Sequence, residues 1–291
     1  MDSLSNQQVQ KVILELDQAL SSHEQWYKNL QRVLISHTAP EPSDLKNDAH
    51  LHCDFGQWYT SPHVQFLQEN PLFISLGKAH EKMHRRARHL IQRISDGLPI
   101  LVRDWDPFDD SIVKMRVKIQ ALREEFAAVV QNRDPLTEAK TRARLLTELC
   151  EQQALVQRGK QLCVIAMVDL DHFKRINDEY GHAAGDIVLV STVKQLKSHL
   201  RPYDRIYRYG GEEFIICMPS TSVEQSREVI ERMRVAIAAQ HFDFGKAHVT
   251  ASFGVSVLRA SRTVEESIHC ADKAMYRAKA AGRNRVELDP E

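Results

Sequence analysis

The sequence predicts an α+β protein in two parts: an all-α helical bundle over residues 1–131, then an α+β domain over 132–291. Three observations carry this. The chain has 291 residues, more than the ~100–200 of one ordinary domain. Up to about residue 130 its apolar residues recur in steps of three and four, the period of a helix face. After Asp134-Pro135 that pattern gives way to a continuous apolar run and to strict alternation, the marks of strands.

The elements follow in order. Val9, Val12, Ile13, Leu16, Leu20, Trp26, Leu30, Val33 and Leu34 predict a helix over about 5–36, ended by the Pro-containing stretch Ala39–Ser43. A shorter helical piece lies near 54–69. A second stripe, Phe73, Leu76, Met83, Ala87, Leu90, Ile91 and Ile94, closes at Asp96-Gly97. A third, Ile112, Met115, Ile119, Leu122, Phe126 and Val129, reads as a heptad seam suited to a packed or dimerising helix. Beyond residue 132 come a buried strand (Leu162–Val168), a helix over about 185–200 and a hairpin (Tyr203–Met218). A helix over 222–240, an alternating strand through Val249, Ala251, Phe253, Val255 and Val257, and a helix over 264–281 complete the chain. Such an order predicts a sheet covered by helices.

Composition narrows the function. Hydrophobic residues are 43% and charged residues 27%, values of a globular chain rather than a disordered or membrane one. Lys plus Arg equals Asp plus Glu at 39 each, which argues against a general nucleic-acid binder. The longest apolar run, Leu162–Val168, is far short of the ~20 residues of a membrane span, so no membrane insertion is expected. No secretory signal is visible in the first thirty residues. Five cysteines without paired spacing fit reduced thiols in a cytoplasmic protein.

The 14 histidines call for an explanation. His23 falls on the first apolar stripe, and His80 and His84 on the second. Their i, i+4 spacing puts the last two imidazoles on one helix face. With Cys53 they could form a closed tetrahedral shell of three imidazoles and one thiolate, the donor set of structural zinc. A lone histidine on an apolar face is more often a hydrogen-bonded core residue, but three with a spaced cysteine favour metal. His37, His50, His52, His63 and His89 read as solvated, although His50 or His52 could replace one ligand. The run Cys53-x-Phe55-Gly56-x-Trp58 and the pair His80-x3-His84 resemble the chemoreceptor zinc-binding (CZB) family over about residues 9–130. That resemblance implies Zn2+ at His23, Cys53, His80 and His84.

Asp169 and Asp171 follow the buried-strand run and, two apart, face the same way. Carboxylates there are costly unless paired or metal-bound. Gly210-Gly211 between two strand segments reads as a tight turn that accepts positive φ and lets a ligand approach the backbone. Glu212 then lands at the hairpin tip. If the hairpin pairs beside the Leu162 strand, Asp169 and Glu212 converge on a divalent cation, and oxygen-only ligands favour Mg2+. Lys174, Lys279 and Arg283 could hold phosphates, and no Walker-type loop is present.

Three runs in this half resemble the GGDEF family of diguanylate cyclases over about 132–288. They are Asp169-x-Asp171-x-Phe173-Lys174-x-x-Asn177-Asp178-x-x-Gly181-His182-x-x-Gly185-Asp186, Gly210–Phe214, and Asp272-x-Ala274-Met275-Tyr276-x-Ala278-Lys279-x-x-Gly282-Arg283-Asn284. The resemblance implies a nucleotidyl-cyclase-like α+β fold and conversion of two GTP into cyclic di-GMP by a homodimer. It implies two Mg2+ per GTP site, with Mn2+ as an alternative, at Asp169, Glu212 and the Leu170 carbonyl. By the same resemblance Glu213 lies near the metals and the reacting hydroxyl, and Asn177 and Asp186 read guanine. Lys174, Lys279 and Arg283 clamp the triphosphate, and Gly210-Gly211 permit the close approach. Arg201-x-x-Asp204 resembles the family's product-inhibition site. Together the two resemblances imply a cyclase whose activity Zn2+ lowers. The alternatives are a silent cyclic di-GMP receptor and a metal sensor acting through partner binding. One departure stands out: Asp134-Pro135-Leu136-Thr137-Glu138-Ala139-Lys140-Thr141-Arg142 carries Glu138 and Thr141 where the family opening has Gly and Asn. Glu accepts positive φ poorly, so coupling of the two parts is open.

Overall fold

The computed structural model describes residues 4–245 and 247–290. Residues 1–3 and 291, the outer ends of the two expected domains, lie outside the described residues, as does 246. The chain divides into two compact units, Met1–Val130 and Gln131–Glu291.

The first unit is helical. It is built on three long helices, α1 (Asn6–Ser36), α4 (Pro71–Ser95) and α5 (Val102–Gln131), with two short ones, α2 (Ala49–His52) and α3 (Asp54–Tyr59), between the first two. Ser5 starts α1 with a reciprocal capping box to Gln8, and Asn70 caps α4 through the amides of Leu72 and Phe73. The apolar stripes meet in one core: Val9, Val12 and Leu16, then Phe73, Leu76 and Met83, then Met115, Ile119, Leu122 and Phe126. The α5 seam is therefore consumed inside its own unit, with Ile112 only 7% exposed and Leu122 fully buried. The heptad stripe is a packed one, because the α1 and α4 stripes supply the apolar partner that a second chain would otherwise provide. A dimer contact through α5 would use a different face.

The second unit is a six-stranded mixed sheet in the order β1-β3-β4-β2-β5-β6. Its strands are β1 (Lys140–Thr141), β2 (Cys163–Leu170), β3 (Arg205–Arg208), β4 (Glu213–Pro219), β5 (Ala251–Val257) and β6 (Val286–Leu288). Helices cover both faces: α6 (Arg142–Gln157), α7 (Phe173–Tyr180), α8 (His182–Ser198), α9 (Val223–Ala238) and α10 (Val264–Ala280). Strand β2 is buried along its whole length. Its alternate residues Val164, Ala166, Val168 and Leu170 pack with Val188, Ile230 and Met233 of α8 and α9. Cys163, Ile165 and Met167 pack with Leu145, Leu149, Ile268 and Met275 of α6 and α10. The alternation through Val249, Ala251, Phe253 and Val255 buries on the α8/α9 side. Helices α6 and α7 have no counterpart among the sequence expectations: α7 has eight residues, of which only Phe173 and Ile176 are buried, and α6 buries only Leu145, Leu149 and Gln153.

The departing segment keeps its turn. Glu138 adopts φ 56°, with its amide donating to the Asp134 carbonyl at 2.9 Å and the Asp134 amide donating to the Ala139 carbonyl at 2.7 Å. A left-handed L residue costs ~1–2 kcal/mol, and glycine there loses part of that gain to its larger unfolded-chain entropy. Glu138→Gly is therefore expected to stabilise the second unit by about 0.5–1 kcal/mol. Urea unfolding followed on that unit should show a higher midpoint at unchanged slope; a lower midpoint would mean that the Glu138 side chain contributes more than its backbone costs.

Candidate metal centre and acidic site

Four side chains meet in the first unit. His23 comes from α1, Cys53 from the junction of α2 and α3, and His80 and His84 from one face of α4. One ligand atom from each lies within 4.8 Å of all the others. A tetrahedral zinc shell has ligand atoms about 3.5 Å apart, so side-chain adjustment alone closes it. Cys53 Sγ already lies 3.2 Å from His80 Nε2. His23 Nδ1 donates to the Ala19 carbonyl at 3.0 Å, which fixes the tautomer and leaves Nε2 as the free lone pair. Nε2 of His23 and of His84 are buried with no hydrogen-bond partner. Two buried ring nitrogens without a partner, in a group whose ligand atoms lie within 4.8 Å of one another, are the feature that a cation satisfies.

The electrostatics agree. Burial holds all three imidazoles below their ordinary range; His84 is brought to about 3, with the neighbouring His23 and His50 adding to the effect. Burial pushes the Cys53 thiol up to about 11. Without a metal the four groups are thus neutral near pH 7. Phe55 and Trp26 line the cluster, with ring centroids 4.5 Å from His80 and 4.6 Å from His84. The other histidines stand apart. The His50 ring is 6.3 Å from that of His80, while His52, His63 and His89 sit against Asp48, Glu15 and Asp104.

In the second unit the C-terminal end of β2 meets the β3–β4 hairpin. Strands β2 and β4 pair antiparallel with Asp169 opposite Glu213, and the Leu170 amide donates to the Glu212 carbonyl at 3.4 Å. Asp169 is 4% exposed and its Oδ2 lies 2.7 Å from Lys279 Nζ of α10. All three carboxyl groups are pushed above their ordinary range, chiefly by burial. The Asp169 charge adds to the effect at Glu212 and Glu213, and Lys279 partly offsets it at all three. Asp169, Glu212 and Glu213 are thus partly desolvated carboxylates coupled to one lysine, a site short of positive charge; among the described residues, the group of three or more His, Cys, Asp and Glu side chains drawn close enough to share a metal is that of the helical unit.

Gly210 and Gly211 do not occupy the left-handed region, contrary to expectation. At Gly210 a Cβ would stand 2.5 Å from Glu213 Oε2, so a side chain there would displace that carboxylate. The hairpin is closed instead by the Tyr209 and Gly210 amides, which both donate to the Glu213 carbonyl, at 2.8 and 3.2 Å. Arg208 Nη2 donates to the Gly211 carbonyl at 2.7 Å, and its Nη1 donates to Asp134 Oδ1 at 2.9 Å. This links the Asp134–Arg142 segment to the glycine loop.

Asp171 has a different fate from Asp169. It accepts from Thr250 Oγ1 at 2.6 Å, Ser252 Oγ at 2.7 Å and the Asn284 amide at 3.0 Å, and so ties β2 to β5 and to the turn after α10. Lys174, on α7, and Arg283, after α10, are exposed, and the Arg283 charge reaches Asp169. Asn177 on α7 is half-buried against Gly185 of α8, whose absent Cβ would lie 1.9 Å from Asn177 Oδ1, and Asp186 is exposed one residue on. Arg201 and Asp204 sit in the turn before β3. The Arg201 amide donates to Asp204 Oδ2 at 2.8 Å, while Asp204 Oδ1 has no partner. Two further charges act on this site: Asp272 repels Glu213 and Arg142 attracts it. Asp272 belongs to the run Asp272–Asn284 and Arg142 to the family opening Asp134–Arg142, so motif membership was a signal for both, though neither was assigned a role from it.

Comparison with known proteins agrees with this division. The model of the diguanylate cyclase GGDEF domain matches residues 131–285, and that of the chemoreceptor zinc-binding domain matches 23–91. Diguanylate cyclase DgcP of Pseudomonas aeruginosa is 43% identical over 157 residues, 53% of this chain but 23% of its own length. Diguanylate cyclase DgcZ of Escherichia coli is 29% identical over 286 residues, covering 96% of this chain and 94% of its own. The GGDEF domain of DgcB from Caulobacter crescentus, solved with c-di-GMP, superposes with TM-score 0.52 at 28% identity, over 54% of this chain and 95% of that one. No helix among the described residues is long and apolar enough to cross a membrane. With a family model spanning more than half its residues, behind a zinc-binding-domain match in the same order as its motifs, the chain belongs to the GGDEF family of diguanylate cyclases.

Proposed function

We propose that this chain condenses two GTP into cyclic di-GMP with release of two pyrophosphates, and that Zn2+ bound by its helical unit lowers the rate. The observation that carries the chemistry is the carboxylate group of Asp169, Glu212 and Glu213, raised by burial and mutual repulsion and offset in part by Lys279, with Arg283 reaching Asp169 and Arg142 reaching Glu213. Asp169, Glu212 and the Leu170 carbonyl would hold Mg2+. When bound, the metal supplies Lewis-acid stabilisation of charge on the attacking oxygen and on the leaving pyrophosphate.

The chain's own residues do the rest. Lys279, Lys174 and Arg283 bind the triphosphate, and Lys279 exchanges Asp169 for phosphate oxygens. The Asp186 carboxylate accepts from the guanine amino and imino N–H groups, which adenine lacks, and Asn177 supports the same edge. Glu213, its carboxyl held above the ordinary range by burial and by the Asp169 charge, would take up the 3′-hydroxyl proton. Gly210 leaves the room in which the nucleotide meets the hairpin. Each 3′-oxygen forms one bond to the α-phosphorus of the other nucleotide, which loses pyrophosphate. Two chains, each presenting one GTP, therefore act as a dimer.

In the helical unit His23, Cys53, His80 and His84 would hold zinc, tying α1, α4 and the α2–α3 junction together. The product would bind at Arg201 and Asp204, where the unpartnered Asp204 Oδ1 can accept from a guanine edge. Incubating the protein with GTP and Mg2+, first with a zinc chelator and then with added Zn2+, tests both parts. The expected result is cyclic di-GMP and two equivalents of pyrophosphate, made more slowly with zinc. Absence of cyclic product overturns the cyclase reading in favour of a cyclic di-GMP receptor. Product formation indifferent to zinc overturns only the regulation.

A further inference from the structure

We propose that a cleft between α4 and α5 in the helical unit is a binding site for an oligophosphate, two or three linked phosphates either free or carried by a nucleotide. The cleft is about 230 Å³ in volume, and five of the eight residues lining it are cationic: Lys78, Lys82 and Arg86 from α4, Lys114 and Lys118 from α5. None is acidic. The chain as a whole balances 39 basic against 39 acidic residues, so this concentration does not follow from composition.

Two contacts set the register of its walls. Lys118 Nζ donates to Ser75 Oγ at one end, and Arg86 Nη1 donates to the Pro107 carbonyl at the other. From Ser75 to Arg86 the row runs about 17 Å along α4 at 1.5 Å per residue. Ala79 and the buried Ser111 form a small-residue floor, which makes the surface concave. Asp110 pairs with Lys114 at 3.6 Å, whereas Lys78 and Lys82 have no ion-pair partner among the described residues. Like charges one helical turn apart repel by ~0.2–0.5 kcal/mol per pair, a repulsion that a polyanion lying in the cleft replaces with attraction. The volume is below the ~300–1,000 Å³ of drug-sized ligand pockets, which suits a short phosphate chain better than a nucleic-acid duplex. Helix α4 carries His80 and His84 on its buried face and this row on its exposed one. The inference does not depend on the cyclase reading.

The test must separate this cleft from the triphosphate residues of the second unit. Full-length protein carrying Lys174→Ala, Lys279→Ala and Arg283→Ala, freed of metal with a chelator, is titrated with tripolyphosphate and separately with ATP by calorimetry. One site is expected to remain. Adding Lys78→Ala and Lys82→Ala, both at exposed positions, should weaken it about tenfold, the sum of two exposed charge contacts near the upper end of their usual range. The affinity should also fall steeply between low and high NaCl. Tighter binding of ATP assigns the nucleotide as the source, and tighter binding of tripolyphosphate the free chain; both support the site. No binding in the Lys174→Ala, Lys279→Ala, Arg283→Ala protein, an affinity unchanged by loss of Lys78 and Lys82, or binding only to phosphatidylglycerol vesicles overturns it. Circular dichroism and zinc stoichiometry of the five-substitution variant should equal those of the parent.

Discussion

Glu212→Gln is expected to lower cyclic di-GMP formation by about 10³-fold or more, the scale of losing a charged group that stabilises the transition state, while the sheet stays folded. The substitution keeps size and removes one charge from a site already short of positive charge. Glu212 is raised by burial and by Asp169. A carboxylate whose folded-state pKa is raised costs stability above that pKa, because the native state must hold a charge it disfavours. The melting temperature in Mg2+-free buffer should therefore be unchanged or higher, even as turnover collapses. A variant that keeps a tenth of the parental rate removes Glu212 from the machinery, and a large fall in melting temperature assigns it a structural role instead.

Cys53→Ser should weaken zinc binding by about 10²–10³-fold, roughly one ligand's share of a four-ligand site worth ~10–16 kcal/mol. Serine is the informative replacement because Cys53 caps α3, its Sγ accepting from the Gly56 amide at 3.4 Å, and a hydroxyl preserves that role. The pH dependence separates ligation from packing. The thiol, at about 11, must lose its proton to bind zinc, whereas His84, at about 3, is already neutral. Affinity of the parent should rise about tenfold per pH unit from pH 6 to 9 with one proton released, and the serine variant should lose that slope. An unchanged slope in the variant means that Cys53 is not a ligand. In the metal-free protein the histidines also set acid stability. Their native-state pKa values are lowered, so the stability of the helical unit is full above pH 6.5 and declines as pH falls toward about 3.

All four residues of the candidate metal centre were named from the sequence, but only part of the grouping follows from local geometry. His80 and His84 share a helix face whatever the fold, because a four-residue step is local geometry. That His23 and Cys53 complete the group depends on how three separate segments pack, and Phe55 and Trp26 settle it by enclosing the imidazoles. His50 looked interchangeable in the sequence; the structure leaves it outside the group of four. The acidic site shows the same split. Asp169 and Asp171 are equivalent as a pattern, yet one meets Lys279 and the other is spent on Thr250, Ser252 and the Asn284 amide. The α5 seam had the right period for a partner chain and found its partner within its own unit.

What the sequence determined by itself was which residues are candidates for the chemistry, that a helical part precedes an α+β part, and the period of each long element. Those properties are set by neighbours within a turn of helix or a strand pleat. Tertiary structure alone decided which carboxylate receives the lysine, which imidazole nitrogens are left without a partner, and that Glu138 holds a left-handed turn. The first two depend on contacts between residues far apart in the chain, where burial and charge neighbours, rather than local preference, dominate the energy; the Glu138 turn is held by the backbone of Asp134 and Ala139 against that residue's own preference.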